Sequence, residues 1–226
     1  MAAKRSGRSK RGTNERLQPL QEPRSEPPLS RERIVATAVE LLDAQGVDGL
    51  TMRRLADRLG SGVMSLYWHV DNKEDVFDLA LDSVLEYRGP PQTAQDWRGE
   101  VVHVLEDWRA SMLRHPWSAS LLPRRALGPN ILGRLELLSK TLSRAGIADA
   151  DVNVAIWSLW NYVMGATITR ASFDLSKNDR AAAQQRLTRL SERYPTIERS
   201  RLLLDNDWDG AFKNGLGFLL DGLSPK

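Results

Sequence analysis

From residue 30 onward, apolar positions along the chain recur with the spacing of α-helices. No convincing two-residue alternation, the mark of a half-buried β-strand, occurs beyond residue 75. The pattern predicts the following helices: 30–46, 73–87, 96–115, 130–145, 149–172 and 208–220, with an exposed polar helix near 180–194. Gly or Pro follows several of these segments and ends them. The sequence therefore predicts an all-α protein.

Two short helical patterns flank a tight turn in residues 50–73. Thr51 is a suitable N-cap for the first, which then places apolar or small residues at Met52, Leu55, Ala56 and Leu59. Gly60 follows, where a residue with positive φ is expected. A second helix over 63–69 can bury two residues, Leu66 and Val70. Because the turn is short, the second helix must cross the first, which is the arrangement of a helix-turn-helix.

The second helix of such a motif enters the major groove of DNA, where its first residues approach base edges. Candidate DNA contacts are Thr51, Arg53, Val63, Met64, Ser65, Tyr67, His69 and Lys73. Tyr67, His69 and Lys73 suit phosphate contacts. Arg53 and Ser65 could contact phosphates or bases.

The apolar residues of this second helix leave two questions open. Val63 and Met64 can meet a thymine methyl group but cannot form paired hydrogen bonds with a base, so the operator sequence is not predicted. The three successive aromatic residues could instead belong to the core of a small helical domain. We expect this for Trp68, whereas the polar tips of Tyr67 and His69 suit a hydrated interface.

This segment resembles the DNA-binding domain of the TetR family of one-component repressors. The matching residues are Leu50-Thr51, Arg53, Leu55-Ala56, Leu59-Gly60, Leu66-Tyr67-Trp68-His69-Val70 and Asn72-Lys73. The last two strings are particularly similar to the tetracycline-repressor subgroup. Residues 30–46 match the family's first helix, with Ser30 as N-cap and Gly46 as terminator. The resemblance implies a three-helix DNA-binding domain followed by a helical domain, and a homodimer released from double-stranded DNA by a small-molecule inducer.

We accordingly divide the chain into a basic tail (1–29), a helix-turn-helix domain called the reading head (30–75), and a helical ligand-binding and dimerisation domain (76–226). Helices 152–171 and 208–220 are apolar on most of their surface. One explanation is that one side of each faces the core of its own chain and the other a partner subunit. The resulting homodimer would present two reading heads about one helical turn apart, which suits a palindromic operator.

Aromatic residues behind the reading head indicate a largely apolar small-molecule site. The candidates are His103, Trp108, Trp117, Trp157, Trp160 and Asn161. For any single Trp, core packing is the simpler interpretation. The magnesium and drug ligands of the tetracycline repressor do not align onto this sequence, so tetracycline is not the expected inducer. His103 and His115 are twelve residues apart on one predicted helix, too far to share a metal, and we expect neither a metal site nor a cofactor.

Composition limits the class of protein without identifying it. The 226 residues include no Cys, so disulfides and thiolate zinc sites are excluded. No apolar run could span a bilayer and the N-terminus lacks a secretory signal, so we expect a cytoplasmic protein with no membrane partner.

Charge is distributed unevenly along the chain. The tail has seven Lys or Arg against three Glu, whereas the reading head has six against eight Asp or Glu. Positioned groups, rather than bulk charge, must therefore recognise DNA. We expect the tail to be disordered. It is either a solubilising extension or an arm whose Lys4-Arg5 and Lys10-Arg11 pairs contact DNA.

The favoured function is that of a ligand-responsive transcriptional regulator, most simply a repressor. The chain has no nucleophile elbow, phosphate-binding loop, HExxH motif or dinucleotide fingerprint. A helical enzyme with a fused DNA-binding head is one alternative, although we expect no enzymatic activity. The other is an architectural DNA-binding protein without a ligand, which would leave the aromatic C-terminal helices no task beyond dimerisation.

Overall fold

The computed structural model describes residues 28–87, 89, 96–125, 128–172, 176–200 and 207–223. Within these ranges it contains no strand, and its helices are α1 Arg31–Gly49, α2 Met52–Arg58, α3 Val63–Leu66, α4 Lys73–Val84, α5 Trp97–Arg114, α6 Pro116–Leu121, α7 Pro129–Arg144, α8 Asp149–Ser172, α9 Lys177–Arg189, α10 Pro195–Arg199 and α11 Trp208–Gly222. A 3-10 turn, Leu122–Arg124, follows α6. The all-α prediction is confirmed. The Lys-Arg pairs of the tail lie outside the described residues.

Helices α1 to α4 form the reading head and its exit. The Ser30 hydroxyl caps α1 by accepting a hydrogen bond from the Arg33 N–H at 3.2 Å, and Thr51 caps α2 from Arg54 in the same way at 3.2 Å. Gly46 has a φ of 68°, which kinks α1 and ends its regular part, and Gly60 has a φ of 64° just after α2. The predicted caps and terminators of the first two helices are therefore confirmed.

Helix α3 is shorter than expected, because it ends at Leu66 rather than near residue 69. The His69 N–H donates to the carbonyl of Leu66, three residues earlier, and this bond closes a tight turn after the helix. Asn72 then caps α4 through a 3.0 Å bond from the Asp75 N–H. The recognition helix thus ends after one turn, and six residues separate it from the connecting helix α4.

Helices α5, α7, α8 and α11 surround the core behind the reading head. Trp108 of α5 is 2% exposed and meets Trp160 of α8 edge to face, with the ring centroids 5.0 Å apart. Helix α8 has the predicted bounds, and α9 is the expected exposed helix. No helix in the described ranges is both long enough and apolar enough to cross a membrane.

Candidate nucleic-acid interface and ligand cavity

The two adjacent arginines of α2 have different environments. Arg54 is tied down, since its Nη1 donates to the Gln45 Oε1 at 3.0 Å and to the Gly49 carbonyl at 3.1 Å. Arg53 is exposed, and none of the residues that the structure describes pairs with its guanidinium. Arg54 therefore fixes the end of α1 against α2, whereas Arg53 is available to DNA. Thr51 is exposed at the same helix end, although its oxygen already serves as the cap.

Helix α3 is anchored on one side and open on the other. Leu66 is fully buried and Val70 is 3% exposed, as predicted. Met64 is 75% exposed and Ser65 is also exposed, so both candidate base contacts face outward. Val63 is half-buried and packs against the core, which leaves it less available than the sequence suggested.

The expectation that Trp68 is a core residue is wrong. Its side chain is 87% exposed, and that of neighbouring Tyr67 is 45% exposed. The reason is the early end of α3: Leu66 and Val70 take the inward positions, so the turn between them directs the indole to solvent. Exposed aromatic rings beside the recognition helix can contact the sugar-phosphate backbone with both an apolar face and a polar tip.

Lys73 begins α4, a twelve-residue helix whose amino end carries a partial positive charge. Its ammonium lies 5.0 Å from the centroid of the Phe77 ring, which holds the side chain near this helix end. His69 is half-buried nearby in sequence. The pKa of the exposed Glu32 carboxyl lies below its usual value because a backbone N–H and the Ser30 hydroxyl hydrogen-bond it. The start of α1 therefore carries a negative charge at neutral pH.

Trp117, one of the predicted ligand residues, lies at the contact between the reading head and the core. Its indole N–H donates to the Asp43 Oδ1 of α1 at 2.7 Å. The His115 Nδ1 lies 2.8 Å from the same oxygen. One carboxylate therefore joins α1 to the start of α6, and the indole N–H is one of the groups that bind it.

A cavity of about 260 Å³ opens between α7 and α8. Its lining residues are Leu135, Asn153, Ile156, Trp157 and Trp160. Two predicted ligand residues, Trp157 and Trp160, are therefore brought together, and Trp108 packs behind Trp160. Asn153 was missed, although it precedes Trp157 by four residues and so shares its helix face. The walls offer aromatic surface and one amide, with no charged group.

Like Trp117, the predicted ligand residues His103 and Asn161 do not line this cavity. His103 is occupied by Tyr87, whose hydroxyl is 2.8 Å from the His103 Nδ1. Burial raises the pKa of Tyr87 to about 12, so this hydroxyl stays protonated at neutral pH. Asn161 is exposed on the outer face of α8 and does not line the cavity.

Helices α8 and α11 each leave an apolar face uncovered. On α8 the exposed side chains recur at helical spacing and include Val154 at 63%, Trp157 at 58% and Ile168 at 46% exposure. On α11 Phe218 is 77% exposed. The two helices are held together because the Tyr162 hydroxyl donates to the Phe212 carbonyl at 2.9 Å, while the two rings stack at 5.4 Å. Exposed large apolar faces of this kind mark association surfaces.

Comparison with known proteins gives matches along nearly the whole chain. Residues 34–80 match the model "Bacterial regulatory proteins, tetR family", and residues 90–226 match "Tetracyclin repressor-like, C-terminal domain". An HTH-type transcriptional regulator of Saccharopolyspora erythraea is 37% identical, over 92% of this chain and 90% of that protein. The class C tetracycline repressor of Escherichia coli is 27% identical, over 86% of this chain and 90% of that protein.

A solved structure shows the same architecture. The structure of ActR from Streptomyces coelicolor in complex with actinorhodin superposes with a TM-score of 0.75 at 30% identity. The alignment covers 87% of this chain and 97% of that one. The two proteins therefore share their fold, including the reading head and the helical domain behind it.

Proposed function

Because the chain belongs to the TetR family of bacterial transcriptional regulators, we propose that it works in the cytoplasm as a homodimer that represses genes from a palindromic operator and is released by a small hydrophobic ligand. Sequence-specific DNA binding is the activity of the reading head. We place its boundary with the ligand-binding and dimerisation domain near residue 75, inside α4, which would make this helix the mechanical link between the two.

The observation that carries the proposal for DNA is the outward-facing surface around α3. Leu66 and Val70 anchor the helix, while Met64, Ser65 and Trp68 are exposed beside each other in sequence. We assign Met64 and Ser65 to the base edges, since they lie at the first turn of the recognition helix. The later groups Tyr67, His69 and Lys73, together with Arg53 and Trp68, are assigned to the phosphates and sugars.

This division of roles predicts two classes of variant. Tyr67→Phe and Lys73→Ala should weaken binding to every DNA sequence by a similar factor, about fivefold, since each removes one contact to the backbone. Lys73→Ala should also lower the salt dependence of log Kd by about one unit, because one fewer counterion is released. Fluorescence anisotropy over a salt series measures both effects.

Variants at the tip of α3 should behave differently. Ser65→Ala and Met64→Ala should change the ranking of operators, with discrimination at one base pair falling by about 1 kcal/mol, while the salt dependence stays unchanged. Binding to a library of operator variants would show this. Uniform losses from both classes would refute the assignment of base and backbone contacts.

We propose that the inducer enters the cavity lined by Trp157 and Trp160. Its volume of about 260 Å³ and aromatic walls suit a flat, uncharged molecule, with the Asn153 amide as a hydrogen-bonding partner. The similarity to ActR, which has been crystallised in complex with actinorhodin, supports a small-molecule ligand for this chain. The ligand must bind the DNA-free form better than the DNA-bound form in order to release the operator.

A panel of planar hydrophobic compounds tests this assignment. A compound that binds should change the intrinsic Trp emission and lower operator affinity at the same concentration. Asn153→Leu should weaken a hydrogen-bonding member about tenfold, because a buried polar group of the ligand is left unpaired. His103→Phe, which lies outside the cavity, is the matched control and should leave ligand affinity unchanged. If every compound leaves both emission and DNA affinity unaltered, the sensing role is unsupported.

A further inference from the structure

The reading head contacts the core at several places, but one of them is continuous with the wall of the cavity. Asp43 joins α1 to Trp117, and Arg125 forms an ion pair with Glu74 of α4. None of these residues lines the cavity. Helix α7 does reach it, through Leu135, and the preceding residue, Arg134, is bonded to the end of α4.

Arg134 is a buried cation with an unusual set of partners. Its side chain is completely buried, and its Nε donates to the Leu85 carbonyl at 2.7 Å. Its Nη2 donates to the Glu86 carbonyl at 3.1 Å and to the Asp107 carboxylate at 2.7 Å. The planar fork thus satisfies two carbonyls at the carboxyl end of α4, while Asp107 of α5 neutralises its charge.

The same guanidinium also reaches the cavity through aromatic contacts. It lies 4.7 Å from the centroid of the Tyr87 ring and 5.6 Å from that of Trp108. Trp108 packs on Trp160, a residue of the cavity wall. Arg134 is therefore joined to the cavity by two routes: along the α7 backbone to Leu135, and across the Trp108 and Trp160 rings.

A second bond ties the start of α7 to the middle of α4. No side chain of its own caps α7, since its N-cap is Gly128. The Asp82 carboxylate of α4 takes this role and accepts the backbone N–H of Asn130 at 3.0 Å and that of Ile131 at 3.2 Å. Asp82 is only 8% exposed, and a Cβ at Gly128 would overlap its carboxylate. Helix α4 is therefore bonded to α7 at two points, through Asp82 and through Arg134.

We infer that α7 is the relay of this protein: Asp82 and Arg134 are positioning residues that convert occupancy of the cavity beside Leu135 into a movement of α4 and hence of the reading head. The inference rests on the proposed function in taking that cavity as the ligand site. Neither residue needs to touch ligand or DNA. Interfaces of this kind switch by helix shifts of about 1–2 Å, which a lever such as α4 enlarges at its far end.

The relay can be tested without an identified ligand, because a side chain can occupy the cavity. Leu135→Trp would fill it from α7, and Leu132→Trp on the 49% exposed side of the same helix is the matched control. The chain has no Cys, so Ala44→Cys in α1 and Ala110→Cys in α5 would accept two spin labels at exposed positions. Dilution of labelled with unlabelled full-length chain restricts the measurement to the distance between head and core within one chain.

Leu135→Trp should shift the mean distance between the labels by about 2 Å or more, and Leu132→Trp should not. Arg134→Lys keeps the positive charge but loses the planar guanidinium with its several donors. When it is combined with Leu135→Trp, the shift in label distance should be less than half of the shift that Leu135→Trp causes alone. Asp82→Ala should have the same effect and provides the test if the lysine variant folds poorly. An undiminished shift in both backgrounds, or equal shifts for the two Trp variants, would overturn the relay.

Operator binding by the same proteins separates this inference from the proposed function. If the relay operates, Leu135→Trp should weaken binding to the operator fragment, and Arg134→Lys should reduce that weakening. If the wild-type protein binds the operator normally but Leu135→Trp leaves the label distance unchanged, the relay alone is refuted. If Leu135→Trp changes the label distance but the wild-type protein has no affinity for the operator DNA, the proposed function is refuted instead.

Discussion

Phe218→Glu should convert the protein to a monomer and abolish specific operator binding. Phe218 is the large apolar side chain that α11 leaves exposed, and the outward side of the adjoining α8 exposes Trp157 and Ile168. A carboxylate buried between two subunits without a partner costs several kcal/mol, so the dimer dissociation constant should rise at least about 100-fold. A single head would retain only the weak affinity of non-specific DNA binding. Analytical ultracentrifugation and anisotropy measure the two losses.

Phe218→Leu is the control for this substitution, since it keeps an apolar side chain on the same face. It should remain dimeric and bind the operator with a Kd within a few-fold of the wild-type value. Far-ultraviolet circular dichroism should show the same helix content in both variants, because Phe218 is not part of the buried core of its own chain. A glutamate variant that stays dimeric would place the subunit interface elsewhere.

Gly128→Ala should destabilise the fold more than other substitutions of this size. The added methyl group would displace the Asp82 carboxylate and remove the bonds by which it caps α7. Loss of a helix cap, together with a buried carboxylate left without its hydrogen bonds, costs about 2 kcal/mol or more. For a chain of this length the melting temperature should fall by about 4–8 °C.

Gly133→Ala offers a matched comparison on the same helix. Nothing lies within 4 Å of a Cβ at that position, so the substitution meets open space. Alanine is favoured over glycine inside a helix by about 0.5–1 kcal/mol, and the melting temperature should rise slightly. Equal losses of stability from the two variants, read by thermal melts, would show that the contact between Asp82 and the start of α7 is not what holds that junction.

The sequence predicted the features that depend on local spacing. The bounds of α8 and the caps Ser30 and Thr51 all follow from residues within one or two helical turns of each other. The exposure of Trp68 could not be predicted in this way. It depends on α3 ending at Leu66, and no Gly or Pro in that turn indicates a helix end there. An early end to a helix redirects every side chain after it.

The tertiary contacts could not be predicted because their partners are far apart in the chain. Trp117 bonds Asp43, 74 residues away, and Asp82 caps a helix 48 residues away. Arg134 has no sequence signal that separates it from surface arginines, yet it is completely buried and bonded to the end of α4. Such residues are identified only once the helices are placed in space.

Footprinting of the DNA beside its own gene at moderate salt, together with the number of chains bound, tests the central claim most directly. A homodimeric regulator should protect two half-sites related by a two-fold axis, about one helical turn apart, with two chains per site. Trp68→Ala should weaken this protection without changing its position. The absence of a protected site, or equal affinity for unrelated DNA at that salt concentration, would contradict the account.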